Sequence, residues 1–326
     1  MEILCYYYNT CLETGKPITG KDEVMTTKNN KLFITGFVLP CVLVLLVVYA
    51  YPVLRTIFMS FFRAGGVTSS IADWKWHGIG NYVQLMGSKD FTKSVWNMVK
   101  LLLLGGVLTV GISILLGVLL SSKANLPGRN FFRTIIYMPN MLSAIAIGNA
   151  FTYYVFQEEF GLLTTIWKFF GATPIEWMTS TNKFYAMMFA IIFCGVGYYM
   201  LVMISGIESI PDDLYEAAVL DGAGPFQKFF HITLPLMKGT IKTIVTFWSI
   251  SAMQMFAWNQ VFSPLGAESS TISPIVYMYE ILFGSALAQV EPDAGLGAAV
   301  GVFTALLVQV VYTLCNWLLR SDDLEF

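Results

Sequence analysis

Groups able to do covalent or proton chemistry are scarce in this chain. Its two histidines are His77 and His231, and neither is accompanied by a nucleophile–base pair or by metal-ligand spacing. Five cysteines stand at Cys5, Cys11, Cys41, Cys194 and Cys315. Cys5 and Cys11 lack a CxxC spacing and a nearby His. The other three fall in apolar runs, where Cys acts as a small hydrophobe. No GxxxxGK[ST] phosphate loop occurs, so nucleotide hydrolysis by this chain is not expected. No cofactor or metal is expected on it either. Work done by such a protein must draw on a partner or on an ion gradient.

A second set of polar groups lies inside apolar runs, where hydrocarbon offers no hydrogen bonds. Asn140, Asn149, Tyr153 and Tyr154 form one group, and Gly195, Gly197, Tyr198 and Tyr199 a second. Gln254, Trp258, Asn259 and Gln260 form a third. Amides and hydroxyls beside aromatic faces suit a neutral polyhydroxylated ligand, which needs hydrogen bonds and stacking but no counter-charge. Asn149, Tyr153, Tyr199, Gln254, Trp258 and Asn259 are the expected substrate-pathway residues. The competing reading is that they pair helices with one another. Acids and bases are missing from the run centres, which argues against a proton relay.

The elements that must position these groups are membrane helices. Hydrophobic residues make up 56% of the 326 residues and charged residues 12%, about half the charge of a soluble globular protein. Mean hydropathy is +0.64. Six uncharged runs, roughly 32–54, 101–122, 134–157, 184–207, 243–267 and 294–319, each reach the ~20 residues that cross a bilayer as helix. They lack the short alternating pattern of barrel strands. The expected fold is an all-α polytopic bundle of about six spans. Residues 1–31 form a polar leader and 32–326 the transmembrane domain. The first run is too long for a signal-peptide core and is expected to stay as an anchor. The stretch 269–290 contains Pro274 and Glu280 and reads as an external helix, not a seventh span.

Positive charge orients the bundle. Lys16, Lys21, Lys28 and Lys31 precede the first run, and Lys123, Arg129 and Arg133 follow the second. Lys228, Lys238 and Lys242 follow the fourth, whereas the connection after the fifth holds Glu268, Glu280, Glu291 and Asp293 without a base. Both termini are therefore expected to be cytoplasmic. One connection dissents. Between the first two runs stand Arg55, Arg63, Lys75, Lys89, Lys93 and Lys100, on the side that should be external. The net charge of −2 gives no sign of nucleic-acid binding.

The loop 208–238, between the fourth and fifth runs, reads as a helix–turn–helix. Ser209 is a candidate cap, Pro211 and Asp212 suit a first turn, and Gly222 or Gly224 can end the helix. Pro225 restarts a second helix and Pro235 is expected to break it. Leu214, Ala217, Ala218 and Asp221 share a low face at three- and four-residue spacing, beside Glu216 as an ion-pair candidate.

Glu216-Ala217-Ala218, three residues, Gly222, nine residues, then Ile232-x-Leu234-Pro235 resembles the EAA loop of binding-protein-dependent ABC importer permeases. The segments Gly78-Ile-Gly80-Asn81-Tyr82, Pro127-Gly128-Arg129, Met138-Pro139 and Phe160-Gly161-Leu162-Leu163 are similar to sugar-type members. The long leader and outer connections look like the first permease of a heterodimeric system, as in maltose and glycerol-phosphate importers. The resemblance implies that Glu216, Ala217, Ala218, Asp221, Gly222, Ile232, Leu234 and Pro235 couple to an ATPase. It also implies a second permease subunit, two ATP-binding-cassette subunits carrying ATP and Mg, an extracytoplasmic solute-binding protein, and the bacterial plasma membrane. Departures occur after the fifth run, where Phe256-Ala257-Trp258 and Ser263-Pro264-Leu265-Gly266 replace the usual sugar-permease pattern, and at Asn97-Met98. Alternatives are an ABC permease for another solute such as a glycerol phosphate, an ion-coupled carrier, and a non-transporting scaffold.

Overall fold

The computed structural model describes residues 35–122, 126–264, 266, 268–284 and 292–318. The polar leader, Cys5 and Cys11 lie outside them. The chain divides into two compact units, Met1–Arg55 and Thr56–Phe326. The described part of the first is most of helix α1, Thr35–Met59, whose apolar side chains are exposed.

In the second unit a short hairpin pairs β1, Phe62–Arg63, with β2, Lys75–Trp76. There follow α2 (Gly80–Gly87), α3 (Lys89–Leu120), α4 (Arg129–Met141), α5 (Ala144–Val155), α6 (Leu162–Phe169) and α7 (Lys183–Glu208). Next come α8 (Asp212–Leu220), α9 (225–236), α10 (Lys238–Met253), α11 (Phe256–Phe262), α12 (Pro274–Phe283) and α13 (Ala294–Leu318). The core lies where α3, α7 and α10 pack, with Met187, Met203, Ile244 and Trp248 buried there. Gly117 of α3 meets the Met203 side chain and Gly197 of α7 meets the Ile136 carbonyl. A methyl group at either position would collide, so these small residues allow the close crossings typical of membrane bundles.

Among the described residues four helices are long and apolar enough to span a bilayer: α1, α3, α7 and α13. The other two expected spans are interrupted. The run 134–157 is not one helix, because α4 and α5 meet at 100°. Leu142 is extended there, and the Ser143 hydroxyl accepts from Ala146 N–H and starts α5 afresh. Pro139, with no N–H to give, lies in the tight turn that closes α4. The run 243–267 likewise divides into α10 and α11 at Gln254 and Met255, both off helical geometry. Helix α3 starts three turns before its apolar run, at Lys89, with Ser88 as its cap. The ten residues of α12 rise about 15 Å, too little to cross, and pack on α13 and α3.

Two charged clusters tie opposite ends of α7. Arg133 donates to the Leu120 carbonyl at 2.6 Å and to Glu208 at 2.7 Å, and Ser122 N–H donates to the same carboxylate oxygen at 3.1 Å. That joins the ends of α3, α4 and α7. At the other end Lys183 pairs with Glu268 at 2.6 Å. Polar pins hold the connections between helices. Buried Asn97 donates to the carbonyls of Ser269, Ser270 and Ile272, and buried Asn81 to those of Ser60 and Phe62.

Candidate functional site

The hairpin α8–α9 follows directly on Glu208. Pro211 occupies the cap position of α8, with Asp212 and Asp213 in the first turn, where the helix dipole favours acids. Ser209 does not cap α8; its hydroxyl donates back to the Gly206 carbonyl of α7 at 2.8 Å. The end of α8 is a Schellman turn. Gly222 N–H donates to Val219 and Ala223 N–H to Ala218, with Gly222 at φ +77°. Gly224 then opens α9, its N–H held by the Gln227 side chain at 2.7 Å, and Pro225 follows at the first helical position. Pro235 does not break the helix. A π-helical turn, Phe229–Thr233, precedes it, and the backbone departs from helix only at Met237. The wider turn accommodates the proline's missing donor.

A bond of 2.9 Å between the Tyr215 and Thr233 hydroxyls clasps the two helices. Tyr215 and Ile232 pack on the bundle core, and Leu234 is half-buried. Outward stand Glu216, Ala217, Asp221, Gly222 and Pro235. Ala218 is half-buried, so the two alanines are not equivalent. At the tip Leu220 is 89% exposed and Phe226 81%. The hairpin is thus anchored on one side and presents apolar and acidic groups on the other.

The second site is a cavity of about 520 Å³ in the bundle. It forms where the two interrupted helices face α7. Pro139, Asn140 and Leu142 line it from the first break, Gln254, Met255 and Trp258 from the second, and Tyr198 and Tyr199 from α7. Irregular backbone at membrane depth is tolerated where it lines a cavity. Trp248 forms a wall. Its indole N–H donates to the Leu102 carbonyl at 3.0 Å, and its ring lies where a methyl group on Gly105 or Gly106 would be. The Tyr199 hydroxyl donates toward Ser251 at 3.5 Å. No charged side chain lines this cavity among the described residues.

Of the six expected pathway residues, Tyr199, Gln254 and Trp258 meet here. Asn149 and Tyr153 face outward on α5, Tyr153 being 63% exposed. Asn259 is buried, but its amide donates to the Thr271 carbonyl, which makes it a pin for the segment before α12. Asn140 and Tyr198 line the cavity, and so do Ser251 and Trp248, which the spacing of polar residues did not single out. For Asn140 and Ser251 the signal was the breaks themselves, at Pro139-Asn140 and Gln254, since neighbours of a break face the space it opens.

Residues 113–321 match the family model described as binding-protein-dependent transport system inner membrane component. The chain belongs to that family. This importer permease is 30% identical over 314 residues to the arabinooligosaccharides transport system permease protein AraP of Halalkalibacterium halodurans, covering 92% of this chain and 95% of the relative. It is 30% identical to the sulfoquinovosyl glycerol transport system permease protein SmoG of Agrobacterium fabrum, covering 90% and 92%. The permease also superposes with a TM-score of 0.77 on a chain of a bacterial ABC transporter involved in the import of the acidic polysaccharide alginate. There the identity is 18%, and 92% of this chain and 99% of that one are covered. This likeness carries the fold. Family membership displaces the ion-coupled carrier and the scaffold.

Proposed function

We propose that this permease carries an oligosaccharide or related carbohydrate through the cavity between its interrupted helices, driven by ATPases that dock on the α8–α9 hairpin. The carrying observation is the cavity lining, in which Asn140, Tyr198, Tyr199 and Gln254 offer hydrogen bonds beside the Trp248 and Trp258 rings, with no charge. A phosphorylated solute such as a glycerol phosphate would call for Arg or Lys there. The relatives named for sugar-containing solutes support the same class.

A second permease completes the pathway, and two ATP-binding-cassette subunits carry ATP and Mg. An extracytoplasmic binding protein delivers substrate at the end opposite the hairpin. The chain resides in the bacterial plasma membrane with both termini cytoplasmic, which puts the hairpin on the ATPase side. Glu216, Ala217, Asp221 and Gly222 form the contact, Ala218 adds to it in part, and Ile232, Leu234 and Pro235 seat it on the bundle. Closure of the ATPases pulls the two permeases from inward-open to outward-open. The test is Glu216→Lys at matched membrane expression. The ATPase subunits should fail to copurify and ATP-dependent uptake should be lost. Retention of both would remove the hairpin from the coupling role.

A further inference from the structure

The connection between α1 and α3 carries more positive charge than its side of the membrane should, and the structure gathers part of that charge in one place. A groove of about 410 Å³ opens between the end of α2 and the start of α3, lined by Met86, Ser88, Lys89, Thr92, Lys93 and Trp96. Lys89 and Lys93 are four residues apart on one helix face, so their Cβ atoms lie about 5–6 Å apart. Neither has a carboxylate within ion-pairing distance among the described residues, and Asp90 points elsewhere than into the groove. The hydroxyls are already engaged. Thr92 donates to the Ser88 carbonyl at 3.0 Å, and Ser88 bonds Tyr277 at 2.9 Å and caps Phe91 N–H at 3.3 Å. Two cations are left facing an open groove with an apolar floor.

Depth decides what fills it. The 32 residues of α3 rise about 48 Å, against ~30 Å of hydrocarbon. Arg133 and Glu208 gather at the Leu120 carbonyl and set that end of α3 at a membrane boundary. With that charged cluster in the inner headgroup layer, Trp96 stands about 36 Å along α3, at the far edge of the hydrocarbon, Lys93 about 40 Å and Lys89 about 46 Å, where a bilayer of ~40–45 Å including its headgroups ends. Trp96 is 57% exposed, as an interfacial anchor would be. Ile79, at the cap of α2, forms with Val83 and Met86 an exposed stripe that leads into the same groove, suited to lying in the interface.

We propose that this groove holds the headgroup of an anionic phospholipid of the outer leaflet, its phosphate between Lys89 and Lys93 and its glycerol and first acyl carbons against Met86 and Trp96. The excess of positive charge on this side is then a lipid contact, not an error of orientation. The inference rests on α3 spanning the bilayer and on the proposed orientation, but not on what the importer carries.

The test is native mass spectrometry of the assembled importer, titrated with phosphatidylglycerol or with phosphatidylcholine of the same acyl chains. One phosphatidylglycerol should be lost in the double variant K89Q/K93Q, its affinity falling about thirtyfold, a factor of about five for each lysine near a membrane surface. Phosphatidylcholine binding should not change, and neither should copurification of the ATPase subunits, which reports folding. Lys75→Gln, on an exposed lysine outside the groove, should leave phosphatidylglycerol binding at the wild-type value. Equal phosphatidylglycerol affinity in wild type and double variant overturns the proposal. So does a double variant that keeps its lipid but no longer captures the binding protein, since the lysines would then serve a protein partner.

Discussion

The α8–α9 hairpin is made of neighbours in sequence, whereas the central cavity draws on residues from Leu101 to Trp258. The hairpin holds its shape through local devices: a Schellman turn at Gly222, Gln227 reaching back to Gly224, and one clasp from Tyr215 to Thr233. The outward side chains of Glu216, Ala217 and Asp221 take no part in these devices and can serve a partner. The cavity has no local device of its own. It exists because two helices are interrupted and their breaks line one space together with α7. A rigid projecting hairpin can transmit a push, while a space bounded by interrupted helices can open to one side and then the other. The contrast makes a sharp demand: damage to one region should leave the other's readout intact.

The largest expected effect is at the hairpin turn. Gly222→Val puts a β-branched side chain at φ +77°, at a cost of about 1–3 kcal/mol. ATPase copurification and ATP-dependent uptake should both fall about tenfold or more. The cavity should be untouched, so binding of a sugar analogue to the isolated permease pair should stay at the wild-type value. Loss of sugar binding together with ATPase association would mean that the hairpin and the bundle fold as one unit, and the contrast would fail.

Cavity changes come next, with the opposite signature. Trp258→Ala removes a ring that walls the cavity, and Gln254→Ala removes an amide at the second break. Uptake should fall about tenfold for the first, by loss of a stacking surface, and about fivefold for the second, by loss of one hydrogen-bonding group. ATPase copurification should be unchanged in both. Weakened association in either variant would show that these residues support the bundle and do not contact solute.

The unequal legibility of the two regions has the same origin. The hairpin could be read because every constraint on it is short-range: a proline start, a glycine end, small residues at helical spacing. Even there the cap at Ser209 and the break at Pro235 were misplaced. A hydroxyl can bond backward into the preceding helix, and a π turn can absorb a proline. Four spans could be read from apolar length alone. The interruptions of the third and fifth could not, because hydropathy measures how apolar a run is and not whether its backbone stays helical. Pro139-Asn140 and Gln254 were visible as residues, but only the fold shows that their breaks face one another. Asn259 illustrates the converse error. A polar residue inside an apolar run marks a need for a partner, and here the Thr271 carbonyl meets that need without any solute.

The smallest expected effect falls on Asn149 and Tyr153, which share the pattern of polar residues in a span but lie outside the cavity. Both are exposed on α5, and neither lines the cavity. Asn149→Leu and Tyr153→Phe should therefore leave uptake within about twofold of wild type, in the range of surface substitutions that touch no special feature. An amide facing hydrocarbon alone would be costly, so Asn149 is also the natural place for a contact with the second permease. That adds a second readout, copurification of the two permeases under mild detergent. Reduced pairing with normal uptake per assembled complex would keep the contrast and assign α5 to the interface. Reduced uptake with normal pairing would put Asn149 in contact with solute in another conformation, so that α5 must turn about its break at Leu142 and Ser143 during transport.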